Sequence, residues 1–207
     1  MRARNYVLTH SGVKAGYAAD TGTPTIPDIT LGLSRMPRFA GQGRMFYSVL
    51  DHSLFAAALI QQEAPTAFAA QLAVLLHDGH EALTQDCPSP FKSNVLKDMQ
   101  RAMDKKISAA VCLNRCTCLF EDHDTLIHLY DKRTLLAEAL VIGPPSLQTP
   151  EDVVFHFGGA PEAGDVETLR NYLKDVTPTE TKRSIFAALV DVLRYSRDEQ
   201  GRRPGED

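Results

Sequence analysis

Apolar residues recur along much of the chain at the spacing of helices that bury one face or are buried all round. Five segments carry this pattern over a length typical of core helices. They predict helices at residues 47–62, 66–82, 92–110, 124–141 and 179–197. Asp28 can cap a further, short helix, which Pro37 ends. The pattern therefore predicts an all-α protein.

The remaining segments are rich in glycine, proline and polar residues. Residues 1–26 predict an irregular arm with a short strand at residues 6–9. Residues 143–164 predict a long connection without regular structure, and such connections serve as lids, oligomer contacts or surface excursions. The charged residues 197–207 predict a flexible tail. No internal repeat or linker divides the chain, so we expect a single domain over residues 1–207.

Composition narrows the class of partner. With 207 residues, of which 43% are hydrophobic and 23% charged, the chain can bury one full core. A net charge of −4 without a basic run argues against a nucleic-acid polymer as partner. No stretch reaches the roughly 18 apolar residues of a membrane span. The basic N-terminus lacks a following apolar segment, so we expect no secretory signal and a cytoplasmic location.

The pair His77-Asp78 interrupts the apolar pattern at the end of the run 68–76. A charged side chain against a core needs compensation, and a divalent cation compensates a carboxylate and an imidazole together. The pair therefore predicts half of a metal site. His52 lies in another apolar segment and would face His77 if the two helices pack. A later acid, Asp131, shares an apolar helical face with Glu138 seven residues on.

The order His52, His77-Asp78 and Asp131 resembles that of the HD-domain metal-dependent phosphohydrolases. Other segments extend the resemblance to the small nucleotide-hydrolysing branch of that family. They are residues 37–42, 46–49, 52–53 and 77–92. The last of these is similar to the core motif of bacterial HD-domain 5′-nucleotidases. Compact phage and bacterial deoxynucleoside triphosphohydrolases share much of the same layout, and the resemblance covers roughly residues 38–138.

The resemblance implies a fold and a cofactor. The fold would be an HD-domain helical bundle, and the cofactor one divalent ion, either Zn, Co, Mn, Fe, Ni or Mg. The implied metal ligands are His52, His77, Asp78 and Asp131. Members of this family are commonly dimers or larger assemblies, so the resemblance also implies a homo-oligomer.

Further residues acquire catalytic and substrate-binding roles from the same motifs. Glu81 lies one helical turn after His77-Asp78, so we expect it beside the ion as general acid or base, and an exposed helix-end carboxylate is its alternative reading. Asp86 would share that task or orient water. Arg38 resembles a phosphate-binding arginine, because its planar fork matches two phosphate oxygens, and Lys92 would add a second cation. We expect Arg133 to be solvated.

Three functions remain open at the level of sequence. The motif at residues 77–92 favours a hydrolase that binds a small-molecule nucleotide and releases phosphate from a nucleoside 5′-monophosphate. The segment 37–41 instead favours a triphosphohydrolase that converts a deoxynucleoside triphosphate to deoxynucleoside and triphosphate. A non-catalytic nucleotide-binding protein of the same fold is the third. His80 departs from the small residue common at its position in the 5′-nucleotidases.

The cysteines lie mostly outside these motifs. Cys112, Cys116 and Cys118 are close together, with His123 and His128 downstream. A structural zinc site is one reading, but the spacing is not the paired C-x-x-C of zinc ribbons. We therefore expect buried free thiols.

Overall fold

The computed structural model of the chain describes residues 6–112, 119–175 and 177–200, and helices dominate them. This confirms the all-α prediction. In chain order the helices are α1 (Ile26–Arg35), α2 (Val49–Glu63), α3 (Phe68–Leu76), α4 (Glu81–Thr84), α5 (Asn94–Cys112), α6 (Leu119–Asp122), α7 (Asp124–Val141), α8 (Pro150–Phe157), α9 (Ala163–Lys174) and α10 (Thr179–Gln200). Short 3-10 turns occur at Arg38–Gly41 and Ser89–Phe91.

Helix α3 lies at the centre of the bundle. It packs against α2, α7 and α10, and residues 70–76 are all buried. A helix that is apolar on every side is expected in such a position. Burial of one leucine side chain contributes about 1.5–3 kcal/mol, and Leu72, Leu75 and Leu76 are all 0% exposed. The packing of α3 therefore fixes the position of His77, which follows its last residue.

The predicted helix at residues 66–82 is wrong in one respect, since a tight turn at residues 77–80 divides it into α3 and α4. The Gly79 N–H donates to the Leu76 carbonyl at 2.8 Å, and the Glu81 N–H to that of Asp78 at 2.9 Å. A Cβ on Gly79 would lie 3.0 Å from the Leu76 oxygen and 3.4 Å from Ile107. Glycine thus lets the turn pack closely, and the turn carries His80 and Glu81 away from the axis of α3.

The N-terminal arm is irregular, as predicted, and contains a small hairpin. Strand β1 (Val7–Leu8) pairs antiparallel with β2 (Lys14–Ala15). Thr25, not Asp28, is the N-cap of α1, and Asp28 closes the capping box three residues later. Asp28 also accepts hydrogen bonds from the Ser11 backbone and hydroxyl at 2.9 and 2.6 Å. Burial disfavours the charge, but these hydrogen bonds outweigh it and hold the pKa of Asp28 well below its usual range.

The expectation of an unstructured connection at residues 143–164 is wrong. Helix α8 lies within it, and α9 begins at Ala163. Thr149 and Asp152 form a capping box, Pro150 occupies the first turn, and Gly158 ends α8 in the left-handed conformation. These are standard helix signals that the apolar pattern alone does not reveal.

Helix α10 continues to Gln200, so the flexible tail predicted from residue 197 is wrong for residues 197–200. Residues 201–207 lie outside the described residues. In the described ranges, every helix is too short or too polar to cross a membrane.

Candidate metal site and adjoining cavity

Helices α2 and α3 bring two imidazole rings together in the core, with their planes tilted by 55°. The ring centres of His52 and His77 are 5.3 Å apart, and their Nε2 atoms are 3.3 Å apart. Ser48 fixes the start of α2 through a capping box with Asp51, and His52 follows in the first turn, fully buried. The apolar faces of both helices therefore place two nitrogen ligands at one point.

The opposite nitrogens of these rings determine what the Nε2 atoms can do. His52 Nδ1 lies 2.9 Å from Glu138 Oε1, and His77 Nδ1 lies 2.7 Å from the Val74 carbonyl oxygen. Carboxylate and carbonyl oxygens accept, so each Nδ1 donates, and each neutral ring keeps its lone pair on Nε2. Two facing lone pairs cannot bond to each other, which leaves a place for a cation between them.

The electrostatics of His52 agree with a positive charge at this point. Burial and Arg38 both lower the tendency of this ring to be charged, but Glu138 and Asp131 outweigh them and raise the pKa of His52 to about 10. For His77, burial again opposes the charge, and Asp78 and Asp131 raise the pKa. Either a proton or a metal ion can supply the charge that these carboxylates favour.

Two carboxylates complete the cluster. Asp78 Oδ2 lies 3.2 Å from His77 Nε2 and 3.6 Å from His52 Nε2. Asp131, on α7, lies 3.2 Å from His52 Nε2 and 3.9 Å from His77 Nε2 through its Oδ1. Ligands that are each about 2.1 Å from one ion lie roughly 3–4 Å from one another. The four sequence-predicted ligands therefore lie close together, and three of them, His52, His77 and Asp78, form a group that could hold a metal ion. The Asp131 side chain is 44% exposed.

Glu138 is a site residue to which sequence reasoning gave no role. It is fully buried, binds His52 Nδ1 through one oxygen, and accepts from Arg38 Nε at 3.3 Å through the other. Carboxylates in this position orient imidazole ligands and increase their basicity. Its spacing of seven residues from Asp131 on an apolar face was the available signal.

A cavity of about 360 Å³ opens beside the cluster. It is lined by all four residues predicted to act on substrate, together with two of the predicted metal ligands. They are Arg38, Glu81, Asp86 and Lys92, with Asp78 and Asp131. Arg38 lies 3.8 Å from Asp86, and Lys92 lies 3.4 Å from Glu81. The cavity beside the metal cluster thus contains two acid–cation pairs.

Glu81 is only 2% exposed, which excludes the reading of an exposed helix-end carboxylate. Burial, and then the charges of Asp78 and Asp86, raise its pKa to about 9. Burial also raises the pKa of Asp86, although Arg38 opposes it. Glu81 can therefore hold a proton near neutral pH next to the cavity, and the pKa of Asp86 is shifted in the same direction.

The structure also shows the surroundings of Arg133 and His80. Arg133 is not solvated, because its guanidinium pairs with Glu63 and Asp165, each at 2.7 Å at the closest approach. That expectation is wrong, and the pairing also keeps Arg133 away from the cavity. His80 is buried, and its Nδ1 lies 2.8 Å from Oδ1 of Asp104, a residue that no motif singled out.

The expectation of free thiols is wrong for Cys112, whereas Cys87 is a free, partly buried thiol. Cys112 is disulfide-bonded, so it is not a free thiol. Cys116 and Cys118 lie outside the described residues. His128 forms an exposed pair with Asp124 at 3.2 Å.

Comparison with known proteins adds a relative but no activity. No family model matches the chain. A protein of Escherichia coli (strain K12), named "Uncharacterized protein YfdR", is 43% identical over 86 residues. The match spans 42% of this chain and 44% of that protein, so the chain covers less than half of the relative's length. Fold and site together define an all-α protein with a buried His/Asp cluster able to hold a metal ion.

Proposed function

We propose that this protein is a metal-dependent phosphohydrolase that releases phosphate from nucleoside 5′-monophosphates. One observation carries the proposal. Through Asp78 and Asp131, the predicted metal ligands border the same cavity as two cationic side chains, Arg38 and Lys92, and two acids, Glu81 and Asp86. Phosphoester hydrolysis needs this combination of a metal ligand set, cationic anchors and a proton donor. The resemblance to the HD-domain family supports the same reaction.

The metal site and the cations have separate tasks in this proposal. A divalent ion held by the four ligands would polarise water and offset phosphate charge. Arg38 would receive two phosphate oxygens on its planar fork, and its bond to Glu138 already fixes the plane of the guanidinium. Lys92 lines the same cavity and would contribute a second positive charge to the phosphate.

Glu81 and Asp86 would donate and accept the protons that the reaction requires. The raised pKa of Glu81, about 9, favours the protonated form, which can donate to a leaving oxygen, and the pKa of Asp86 is raised as well. A cation bound beside Asp78 would offset part of the repulsion that raises the pKa of Glu81, so this side chain would be able to accept a proton as well.

The charge around the cavity supports a monophosphate over a triphosphate. Its described lining contributes two permanent cations, Arg38 and Lys92. Two further cations on α7 are engaged elsewhere, since Lys132 donates to the Phe157 carbonyl at 2.6 Å and Arg133 is paired with two acids. A triphosphate tail would require more positive charge than these two side chains supply. Triphosphohydrolase activity remains the alternative, with a non-catalytic nucleotide-binding protein as the third.

A panel of nucleoside mono-, di- and triphosphates with several divalent metals tests the proposal. We expect inorganic phosphate from monophosphates, and a loss of kcat/KM of about tenfold or more in Arg38→Lys, because a lysine cannot form the two-point contact. The matched control Arg101→Lys changes an exposed arginine and should keep parental rates. Release of intact triphosphate would establish the alternative, and binding without turnover would establish the third function.

A further inference from the structure

The turn between α3 and α4 contains two buried polar atoms without a hydrogen-bond partner among the described residues. They are His80 Nε2 and Glu81 Oε2. His80 is 8% exposed and Glu81 2% exposed, so little solvent reaches either side chain. An unpaired buried polar group destabilises the folded protein, because it has lost its hydrogen bonds to water. Two adjacent residues with this property indicate a ligand that satisfies both.

His80 is oriented from its other side. Its Nδ1 lies 2.8 Å from Asp104 Oδ1 on α5. Because a carboxylate accepts, Nδ1 donates, and the lone pair of the neutral ring is on the unpartnered Nε2. A carboxylate behind an imidazole is the usual arrangement of metal-binding histidines. The pair therefore presents a nitrogen ligand whose orientation is already fixed.

Asp78 supplies a third ligand and connects the two clusters. One ligand atom from each of Asp78, His80 and Glu81 lies within 4.8 Å of the other two. A carboxylate has about four lone-pair positions, so Asp78 can bind ions on two sides. We propose that Asp78, His80 and Glu81 bind a second divalent cation, bridged by Asp78 to an ion at His52, His77 and Asp131. One nitrogen and two oxygens suit ions such as Mn²⁺, Fe²⁺, Co²⁺ or Zn²⁺.

A second cavity provides a route for this cation. It has a volume of about 360 Å³ and borders His80, Asp104 and Asp78. Asp78 also borders the Arg38–Lys92 cavity, so the proposed ion lies where the two cavities meet. The cations in the second cavity are matched by acids, since Arg101 lies 3.2 Å from Asp98 and Lys105 lies 3.6 Å from Glu121. A cation can therefore approach without passing the phosphate-binding side chains.

The second ion would change the assignment of the acids. Glu81 would become a ligand, and Asp86 would be the acid left to exchange protons with the substrate. Two ions bridged in this way stand about 3.5–4 Å apart and can stabilise both the attacking and the leaving oxygen. The proposal rests on the first metal site of the proposed function through the shared Asp78, but metal binding can be measured without any substrate.

Titration of the metal-free protein with Mn²⁺ tests the proposal. Bound and free Mn²⁺ are separated by electron paramagnetic resonance, and metal content is checked after gel filtration. The parent should bind two ions per chain and His80→Ala one. Asp104→Asn should weaken the second ion by about tenfold or more, because the imidazole loses its orienting carboxylate. The matched control His128→Ala changes an exposed histidine at the same cavity and should bind two ions.

Binding of one ion by the parent, or of two by His80→Ala, would overturn the proposal. If the parent binds one ion and His80→Ala binds nucleotide more weakly, His80 belongs to the substrate site instead. If His80→Ala fails to fold, the affinity of Asp104→Asn for the second ion tests the proposal. This substitution keeps the shape of a partly exposed side chain. Two bound ions without phosphate release would support the second site and refute the proposed hydrolysis, so the two failures are distinguishable.

Discussion

Two polar clusters flank α7 and differ in how their charges match. Arg133 donates to both oxygens of Glu63 and of Asp165, with N–O distances of 2.7 to 2.9 Å. Asp131 and Glu138 instead meet two histidines whose Nε2 atoms face each other at 3.3 Å. Asp131 and Arg133 are two residues apart on α7, so their side chains point about 200° apart around its axis. The same helix therefore contributes to both clusters.

The difference separates a structural network from a ligand site. In the Arg133 network each acceptor has a donor, and the arrangement is complete without a further component. In the histidine cluster two ring nitrogens face each other beside two carboxylates, and a proton or a metal ion has to supply the positive charge that these carboxylates favour. We therefore expect the Arg133 network to stabilise the fold and the histidine cluster to bind a cation. Three variants test this distinction.

His77→Ala should have the largest effect, and it should be on function. Loss of one of four metal ligands is expected to lower phosphate release by about 10³-fold, since a metal ion contributes several kcal/mol to such reactions. The metal-free protein should change in unfolding free energy by only about 1 kcal/mol, because the variant removes one of two mutually repelling groups. Phosphate release, metal content and urea unfolding measure these effects.

His128→Ala is the control for this variant, because its side chain is 75% exposed. It should leave rates and stability unchanged. If His77→Ala hydrolyses nucleotides as fast as the parent, the site assignment is wrong. If it destabilises the metal-free protein as much as the loss of Arg133 does, the histidine cluster is structural and the distinction fails.

Arg133→Ala should have the opposite profile. Its removal leaves the Asp165 carboxylate, which is 5% exposed, without its cation. Breaking a buried ion pair in this way costs about 3 kcal/mol, so the urea midpoint should fall while the rate per folded molecule stays constant. Arg170→Ala, an exposed arginine on α9, should change neither. A parental urea midpoint in Arg133→Ala would contradict the structural assignment of the network.

The sequence predicts the helices and the candidate metal ligands better than it predicts the contacts between helices. Long helices follow from local apolar spacing, and the order of His52, His77 and Asp131 follows a family resemblance. The contacts of Glu138 with His52 and of Asp104 with His80 join residues 86 and 24 positions apart. These contacts depend on the rotation of each helix about its axis, which local patterns do not fix.

Two other errors have different causes. The short helix α8 was missed because eight residues give too little periodicity, although Thr149 and Pro150 carried a start signal. Arg133 was read as solvated because a charged residue on a helix usually is. Its partners, Glu63 and Asp165, come from α2 and α9, and a pairing across three helices is visible only after they pack.

Glu63→Gln should have the smallest effect, and it sharpens the comparison through pH. Hydrogen bonds from Arg133 lower the pKa of Glu63 below its ordinary value of 4.5, with burial opposing and Tyr130 assisting. A depressed pKa in the folded state stabilises the protein above the unfolded value, and this contribution is lost as the pH falls through the folded value. The parent should therefore exceed Glu63→Gln in stability by less than about 1 kcal/mol at neutral pH, because Glu63 is half exposed. Urea unfolding from about pH 6 to about pH 3 should show this difference vanish.

The exposed control Glu167→Gln should follow the parent. A Glu63→Gln difference that persists at low pH would mean that packing of the side chain, not its charge, supports the network.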